Sequence, residues 1–283
     1  MATGSVGVRG TAGCATAGPM ASEGTKSPGP ASVTDAANRE PNVKDRPPPS
    51  VPVPDPLAPD PLAIVFDLDG TLIDSAPEIH AVANRVFTAK GLQPMDFPTV
   101  RAAIGNGVAV LVGRLLQAQG QTPAGPLQAD LVASFVKIYE EAFDLTTIYP
   151  GVVEALTNLH AAGHPMGICT NNPEGPAKAV LRHFGLDRLL PVVVGGDTLP
   201  VRKPDPAPLR QAFAGLNVRT GLFVGDSEVD SATAQAARIP LALYTQGYRL
   251  APIGTLGASF AFDDFHALPR LLSGFSQRTA PAP

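Results

Sequence analysis

Only two cysteines, Cys14 and Cys169, occur in the 283 residues. That excludes a disulfide framework and any metal site built on paired thiolates, and it suits a reducing compartment. Positive charge is scarce too: Lys and Arg number 21 against 25 Asp and Glu, for a formal net charge of -4. A protein that neutralises a nucleic-acid backbone carries a basic excess, so no nucleic-acid partner is expected. No apolar run approaches the roughly 20 residues of a membrane span, which removes the membrane as a partner. The histidines, His80, His160, His164, His183 and His266, are scattered without ligand spacing. None is assigned to metal binding or catalysis.

What is present begins with a biased segment. Residues 1–60 are dominated by Ala, Gly, Ser, Thr and Pro and end in RPPPSVPVPDPLAPDP. Such a composition buries too little apolar surface to offset the entropy of ordering, so a disordered Ala/Gly/Pro-rich tail is expected there. It has no apolar h-region of a secretory signal. A cytoplasmic location follows. The acid-free opening MATGSVGVRGTAGCATAGPMAS leaves organelle transit, or a true start at Met20 or beyond, as alternatives.

From Leu62 onward short apolar runs alternate with helical stretches, and the 44% of hydrophobic residues is enough for a sizeable core. Strands are predicted at Leu62–Leu68, Met166–Thr170, Pro191–Val194, Gly221–Gly225 and Leu241–Tyr244. Each is apolar on both faces, as in a buried parallel sheet. The pattern predicts an α/β fold, a doubly wound, mostly parallel sheet formed by residues 61–74 and 150–283. Residues 75–149 contain no predicted strand. Ser75-Ala76-Pro77-Glu78 reads as a capping box, followed by Ile79, Val82, Val86 and Phe87 at helical spacing up to Gly91, and 111–116 and 127–143 are also helical. This all-helical insertion leaves the sheet where the first strand ends, the position of a cap domain.

Ligands of open α/β sheets bind outside the carboxyl ends of the strands. There the sequence places IVFDLDGTLIDS ending in Asp67 and Asp69, ICTNN ending in Thr170 and Asn171, and LFVGD ending in Asp226, with Lys203 in VRKPDP. In extended geometry Leu68 faces away from both neighbours, so the two acids share a side. Asp74 and Asp205 read instead as turn formers or caps. Hard carboxylate oxygens suit Mg²⁺, which commonly shares its sites between protein, water and phosphate. With metal and lysine drawing charge away, a carboxylate can attack phosphorus.

These four motifs, in this order, resemble the haloacid dehalogenase (HAD) superfamily of phosphohydrolases in the branch with a helical cap, over about Leu62 to Leu272. The resemblance implies a Rossmann-like HAD core, with Asp67 as the nucleophile that forms an aspartyl-phosphate and Asp69 as the general acid and base. It further implies that Thr170, Asn171 and Lys203 hold the phosphate. Asp67, the backbone carbonyl of Asp69, and Asp226 would bind Mg²⁺, with Asp230 supporting them from behind. The second acid, Asp69, sets the sequence apart from the dehalogenases and the transport ATPases. GICTNNPEGPAKAVLRHFGL, VRKPDPAPL and GDSEVDSATAQAARIPLALYTQGY are similar to the bacterial phosphoglycolate phosphatases, implying hydrolysis of 2-phosphoglycolate to glycolate. One departure is Asn172, where those proteins usually carry lysine.

Other partners remain open: another small phosphorylated organic acid or sugar, a phosphosugar mutase reaction, or an inactive module that only binds a phosphate ligand. In the insertion, Gly105-Asn106-Gly107 reads first as a helix-to-helix turn, and its backbone amides, with Arg101 and Arg114, are candidates for reading the substrate. Nothing in the sequence speaks to oligomeric state.

Overall fold

The computed structural model describes residues 62–219 and 221–279, and side chains as far as Phe275. The tail expected at 1–60 lies outside the described residues. The main sheet has six parallel strands: β1 (Ile64–Phe66), β4 (Met166–Cys169), β5 (Val192–Val194), β6 (Leu222–Gly225), β7 (Leu241–Tyr244) and β8 (Phe260–Phe262), in the order β5-β4-β1-β6-β7-β8. β1 is central: Phe66 is in register with Ile168 of β4 on one side and Val224 of β6 on the other. The strand order reverses at this point, which is where an open α/β sheet forms its crevice.

Alternation along β1 feeds two cores. Ile64 and Phe66 pack with α5 (Val152–Ala161), α6 (Glu174–His183) and α9 (Leu268–Thr279), while Val65 packs with α7 (Pro206–Gly215) and α8 (Glu228–Ala237). Helices therefore cover both faces, and the strands have no need of polar residues until they end. Leu68 is buried in the first core, so the spacer between Asp67 and Asp69 does turn inward.

Four helices, α1 (Ala76–Ala89), α2 (Phe97–Ala103), α3 (Val108–Ala118) and α4 (Gly125–Tyr139), lie between two short strands, β2 (Ile73–Asp74) and β3 (Thr147–Ile148). They enclose a third core that includes Val82, Phe87, Leu115 and Phe135. β2 and β3 pair antiparallel, Ile73 with Ile148 and Asp74 with Thr147, so the chain enters and leaves the helical segment side by side. The expectation of no strand before Pro150 is corrected by β3, whose two residues are too few to show a period. α2 was equally illegible: only Val100 and Ala103 of its seven residues are buried, and its start is marked by the side chain of Asp96 accepting from Thr99 N. The edge strand β8 was missed because it is buried on one side only.

The expected capping box at Ser75 is not formed. The Ser75 hydroxyl donates to Asp69 Oδ1 at 2.5 Å, and Glu78 Oε2 accepts from Leu145 N at 2.6 Å. Both side chains satisfy distant partners instead of each other. A true capping box occurs at Ser227 and Asp230, at the start of α8. The reading of Asp205 as a cap holds, since it accepts from Ala207 N at the start of α7.

Candidate active site

The fold brings the strand-end residues to one crevice. Asp67 and Asp69 follow β1, Thr170 follows β4, Asp226 follows β6, and Lys203 lies in the β5–α7 connection. Carboxylate oxygens of Asp67, Asp226 and Asp230 lie within 4.8 Å of one another, and all three residues are buried. Lys203, 2% exposed, places Nζ 2.7 Å from Asp230 Oδ1 and 2.8 Å from Asp67 Oδ1. The approach to Asp67 is off the direction of a hydrogen bond, so that buried oxygen has no directed donor among the described residues.

Three carboxylates face one ammonium, and the electrostatics reflect the imbalance. Burial, and next the charge of Asp230, push Asp67 up to about 7 against the opposing pull of Lys203. Burial, Asp230 and Asp67 hold Asp226 well above the usual carboxylate range. Burial works against the charge on Lys203, but Asp230 and Asp67 overcome it and raise its pKa further, so it stays an ammonium. A hard divalent cation between Asp67 and Asp226 would balance the excess. The donor set fits: it is all oxygen, it is desolvated, and one oxygen lacks a directed donor. Asp230 is the least available of the three. Its Oδ1 is taken by Lys203, and its Oδ2 accepts from Asp226 N, Ser227 N and Ser227 Oγ. It therefore anchors the lysine and the start of α8, while Asp67 and Asp226, whose oxygens accept fewer hydrogen bonds, keep more lone pairs for a cation.

Asp226 is itself fixed by two donors, Thr71 Oγ1 at 2.8 Å to Oδ1 and Tyr248 N at 2.6 Å to Oδ2. Gly70 explains the turn between Asp69 and Thr71. Its φ is +85°, and a Cβ there would lie 2.7 Å from Asp226 Oδ2. No other residue satisfies both constraints.

Asp69 is held from three sides. Ser75 Oγ donates to its Oδ1, Asn172 Nδ2 donates to its Oδ2 at 3.0 Å, and Tyr139 of α4 makes a long contact of 3.4 Å to Oδ1. Burial raises its pKa, and these donors pull it back only in part. A carboxyl that retains its proton more readily than usual suits a general acid. Thr170 Oγ1 accepts from Asn172 N at 3.1 Å, which leaves its own hydroxyl hydrogen for another acceptor.

Asn171 sits differently from a simple phosphate donor. Its Nδ2 donates to Gly105 O and to Lys203 O, both at 3.0 Å, so its side chain ties the α2–α3 turn to the sheet. Two carbonyl partners fix the amide orientation, and Oδ1 is buried without a donor. Asn172 has the same pattern, its Nδ2 on Asp69 and its Oδ1 buried without a donor.

Two cavities open on Asp67 and Asp69. The larger, of about 320 Å³, is also lined by Asp226, Asn106, Arg114 and Tyr248. The smaller, of about 50 Å³, is lined by Tyr139, Asn171 and Asn172, with no cationic side chain. Arg114 thus reaches the crevice, whereas Arg101 lines neither cavity and instead donates from Nη2 to Gly247 O at 2.7 Å. Thr71, Ser75, Tyr139 and Tyr248 were missed by sequence reasoning. Thr71 and Ser75 lay inside the quoted motif and could have been noticed. The two tyrosines are single residues far along the chain, and no local pattern marks them.

Comparison with known proteins agrees with this geometry. Residues 61–238 match the profile described as "Hydrolase: haloacid dehalogenase-like hydrolase". The chain is 48% identical over 210 residues to a phosphoglycolate phosphatase of Cereibacter sphaeroides, covering 74% of this chain and 96% of that one. It is 44% identical over 214 residues to one of Rhodobacter capsulatus, covering 76% and 98%. Among solved structures it is similar to a predicted phosphoglycolate phosphatase from Haemophilus somnus, with a TM-score of 0.70 and 30% identity over 75% of this chain and 98% of the other. The parallel sheet, the acids at its switch point and these relatives agree: the chain belongs to the haloacid dehalogenase-like hydrolase family.

Proposed function

We propose that the protein is a Mg²⁺-dependent phosphoric monoester hydrolase that works through an aspartyl-phosphate and takes 2-phosphoglycolate as its substrate. The observation that carries this is the buried group of Asp67, Asp226 and Asp230 around Lys203, beside a second acid, Asp69, with its own donors. Asp67 attacks phosphorus while the bond to the leaving oxygen breaks and Asp69 gives that oxygen its proton. Asp69 then takes a proton from water as the water attacks phosphorus and releases Asp67. Lys203, the Thr170 hydroxyl and the main-chain N–H of Asn171 hold the phosphoryl oxygens. Asp67, the backbone carbonyl of Asp69 and Asp226 hold Mg²⁺, which neutralises the developing charge and lets two anions approach. Asp230 keeps Lys203 in place and charged.

The α1–α4 segment acts as the cap, spanning 75–149, with 61–74 and 150–283 as the core. Arg114 and Asn106 in the larger cavity suit the carboxylate of glycolate. Enclosure by the cap and the absence of any helix long and apolar enough to cross a membrane among the described residues support a small dissolved substrate.

A second reading, a broader sugar phosphatase, is favoured by the Oδ1 atoms of Asn171 and Asn172, both buried without a donor among the described residues. Two buried acceptors without donors cost about 1–3 kcal/mol each and would be relieved by a substrate hydroxyl, not by a carboxylate. Phosphate release from 2-phosphoglycolate, glycerol phosphates and sugar phosphates, each with Mg²⁺ and with EDTA, decides between the two. We expect Mg²⁺-dependent release with the highest kcat/KM on 2-phosphoglycolate. Asn172→Lys, which restores a cation beside the leaving group, should raise that preference over glycerol phosphate by about tenfold, the equivalent of one good charge-assisted contact. A preference for the hydroxylated esters would support the second reading, and metal-independent release would overturn the mechanism.

A further inference from the structure

The start of α1 is capped from the far side of the molecule. Because the Ser75 hydroxyl is spent on Asp69, the first N–H groups of the helix need another acceptor. It is the phenol oxygen of Tyr248, which accepts from Ser75 N at 2.8 Å and Ala76 N at 2.9 Å and donates to Asp74 Oδ1 at 2.8 Å, while Ala76 N also makes a longer contact of 3.3 Å to Asp74 Oδ1. One donor and two acceptor sites are all a hydroxyl has, so Tyr248 is saturated at this junction. Tyr248 is only 7% exposed. Residues 74–76 are where the chain passes from the sheet into the four helices.

The other end of Tyr248 reaches the carboxylates, since its main-chain N–H is one of the two donors on Asp226. Gly247 before it has no room for a side chain: a Cβ there would lie 2.3 Å from both Asp226 Oδ2 and Gly70 O. From the helical side, the Arg101 guanidinium lies 5.1 Å from the centre of the Tyr248 ring and bonds Gly247 O. One short loop is thus fastened to Asp226, to the junction and to α2 at once.

We infer that Tyr248 is a positioning residue that locks the junction of the four-helix segment to the Asp226 side of the site, so that the closed cavity and the acid cluster form one rigid unit. The kinetic consequence rests on the proposed phosphatase reading. If the closed form is the one that binds, apparent affinity falls by the fraction of time the junction is unlocked, while the chemistry inside the closed form is unchanged.

Tyr248→Phe removes the three hydroxyl bonds and keeps both the ring and the main-chain N–H. Two readouts on the full chain with Mg²⁺ test it. Amide exchange at Ser75 and Ala76 should speed up by about tenfold or more, the loss of roughly one net hydrogen bond, and this readout does not depend on any activity. KM for phosphate release from 2-phosphoglycolate should rise, by at most that factor, while kcat changes less than about threefold. Arg101→Met, which leaves the hydroxyl in place, should move both in the same direction by less, and it serves if the phenylalanine variant does not fold. Unchanged exchange at 75–76 overturns the inference. So does a lower melting temperature with KM unchanged, whether or not kcat falls, which is what a purely structural tyrosine gives. If the wild type releases no phosphate from any ester, the phosphatase reading fails, and the exchange result still decides the role of Tyr248.

Discussion

Asp67→Asn is expected to abolish phosphate release, by about four orders of magnitude or more, while leaving the fold intact. The expectation follows from the position of this side chain. It is buried, it follows the central strand, and its Oδ1 is a buried oxygen with no directed hydrogen bond among the described residues. An amide of the same shape fills the space but cannot form an acyl phosphate, and removal of a nucleophile costs far more than removal of a binding contact. Folding should not suffer, because the change removes one of three charges that face a single ammonium. Circular dichroism and phosphate release measured on the same sample check both halves. Near-normal turnover would place the nucleophile elsewhere.

The second large effect is expected from metal removal, and its sign depends on pH. Asp67 has a pKa of about 7 in the folded chain against 3.8 for a free side chain. The folded state therefore holds the proton more tightly. The stability this contributes is fully present below about 3.8 and is lost as pH rises through about 7. For an isolated group that span corresponds to at most about 4 kcal/mol, and Asp226 is shifted in the same direction. Metal-free protein in EDTA should accordingly melt several degrees lower at pH 8 than at pH 5, with turnover lost. Mg²⁺ binds the ionised carboxylates, so it should restore turnover and raise the melting temperature more at pH 8 than at pH 5. In Asp67→Asn the slope in EDTA should flatten. A melting temperature independent of pH and of Mg²⁺ would mean that no cation balances these acids.

The central sheet was legible because strands buried on both faces are written as short apolar runs, and all five predicted strands are present within a residue or two at their ends. The acids were legible for a related reason: a carboxylate that terminates such a run must lie at the carboxyl edge of the sheet. What was not legible is what holds those acids still. Asp226 accepts from a main-chain N–H in the loop after β7, and Asp69 accepts from Asn172 after β4 and more distantly from a tyrosine hydroxyl in α4. Neither contact has a local period or a motif. The error at Ser75 shows the mechanism plainly. Ser-x-x-Glu spacing is a statement about local hydrogen bonding, and here tertiary partners, Asp69 and Leu145, claimed both side chains. Asn171 shows the converse. Its place after Thr170 suggests a phosphate donor, and no local pattern tells that its side chain spends its hydrogens on Gly105 and Lys203, leaving the main-chain N–H for such a role.

The claim on which the rest depends is a phosphoryl group carried by Asp67, and Asp69→Asn allows it to be caught. With p-nitrophenyl phosphate the leaving group departs without needing a proton, so the first step survives this substitution while activation of water, worth about 10²–10⁴-fold, is lost. Borohydride reduction of the quenched reaction, followed by peptide mass spectrometry, should find homoserine at position 67, only when Mg²⁺ and substrate are both present. A reduced side chain at another acid, homoserine from an aspartate or hydroxynorvaline from a glutamate, or none at all while nitrophenol is released in a burst, would contradict it.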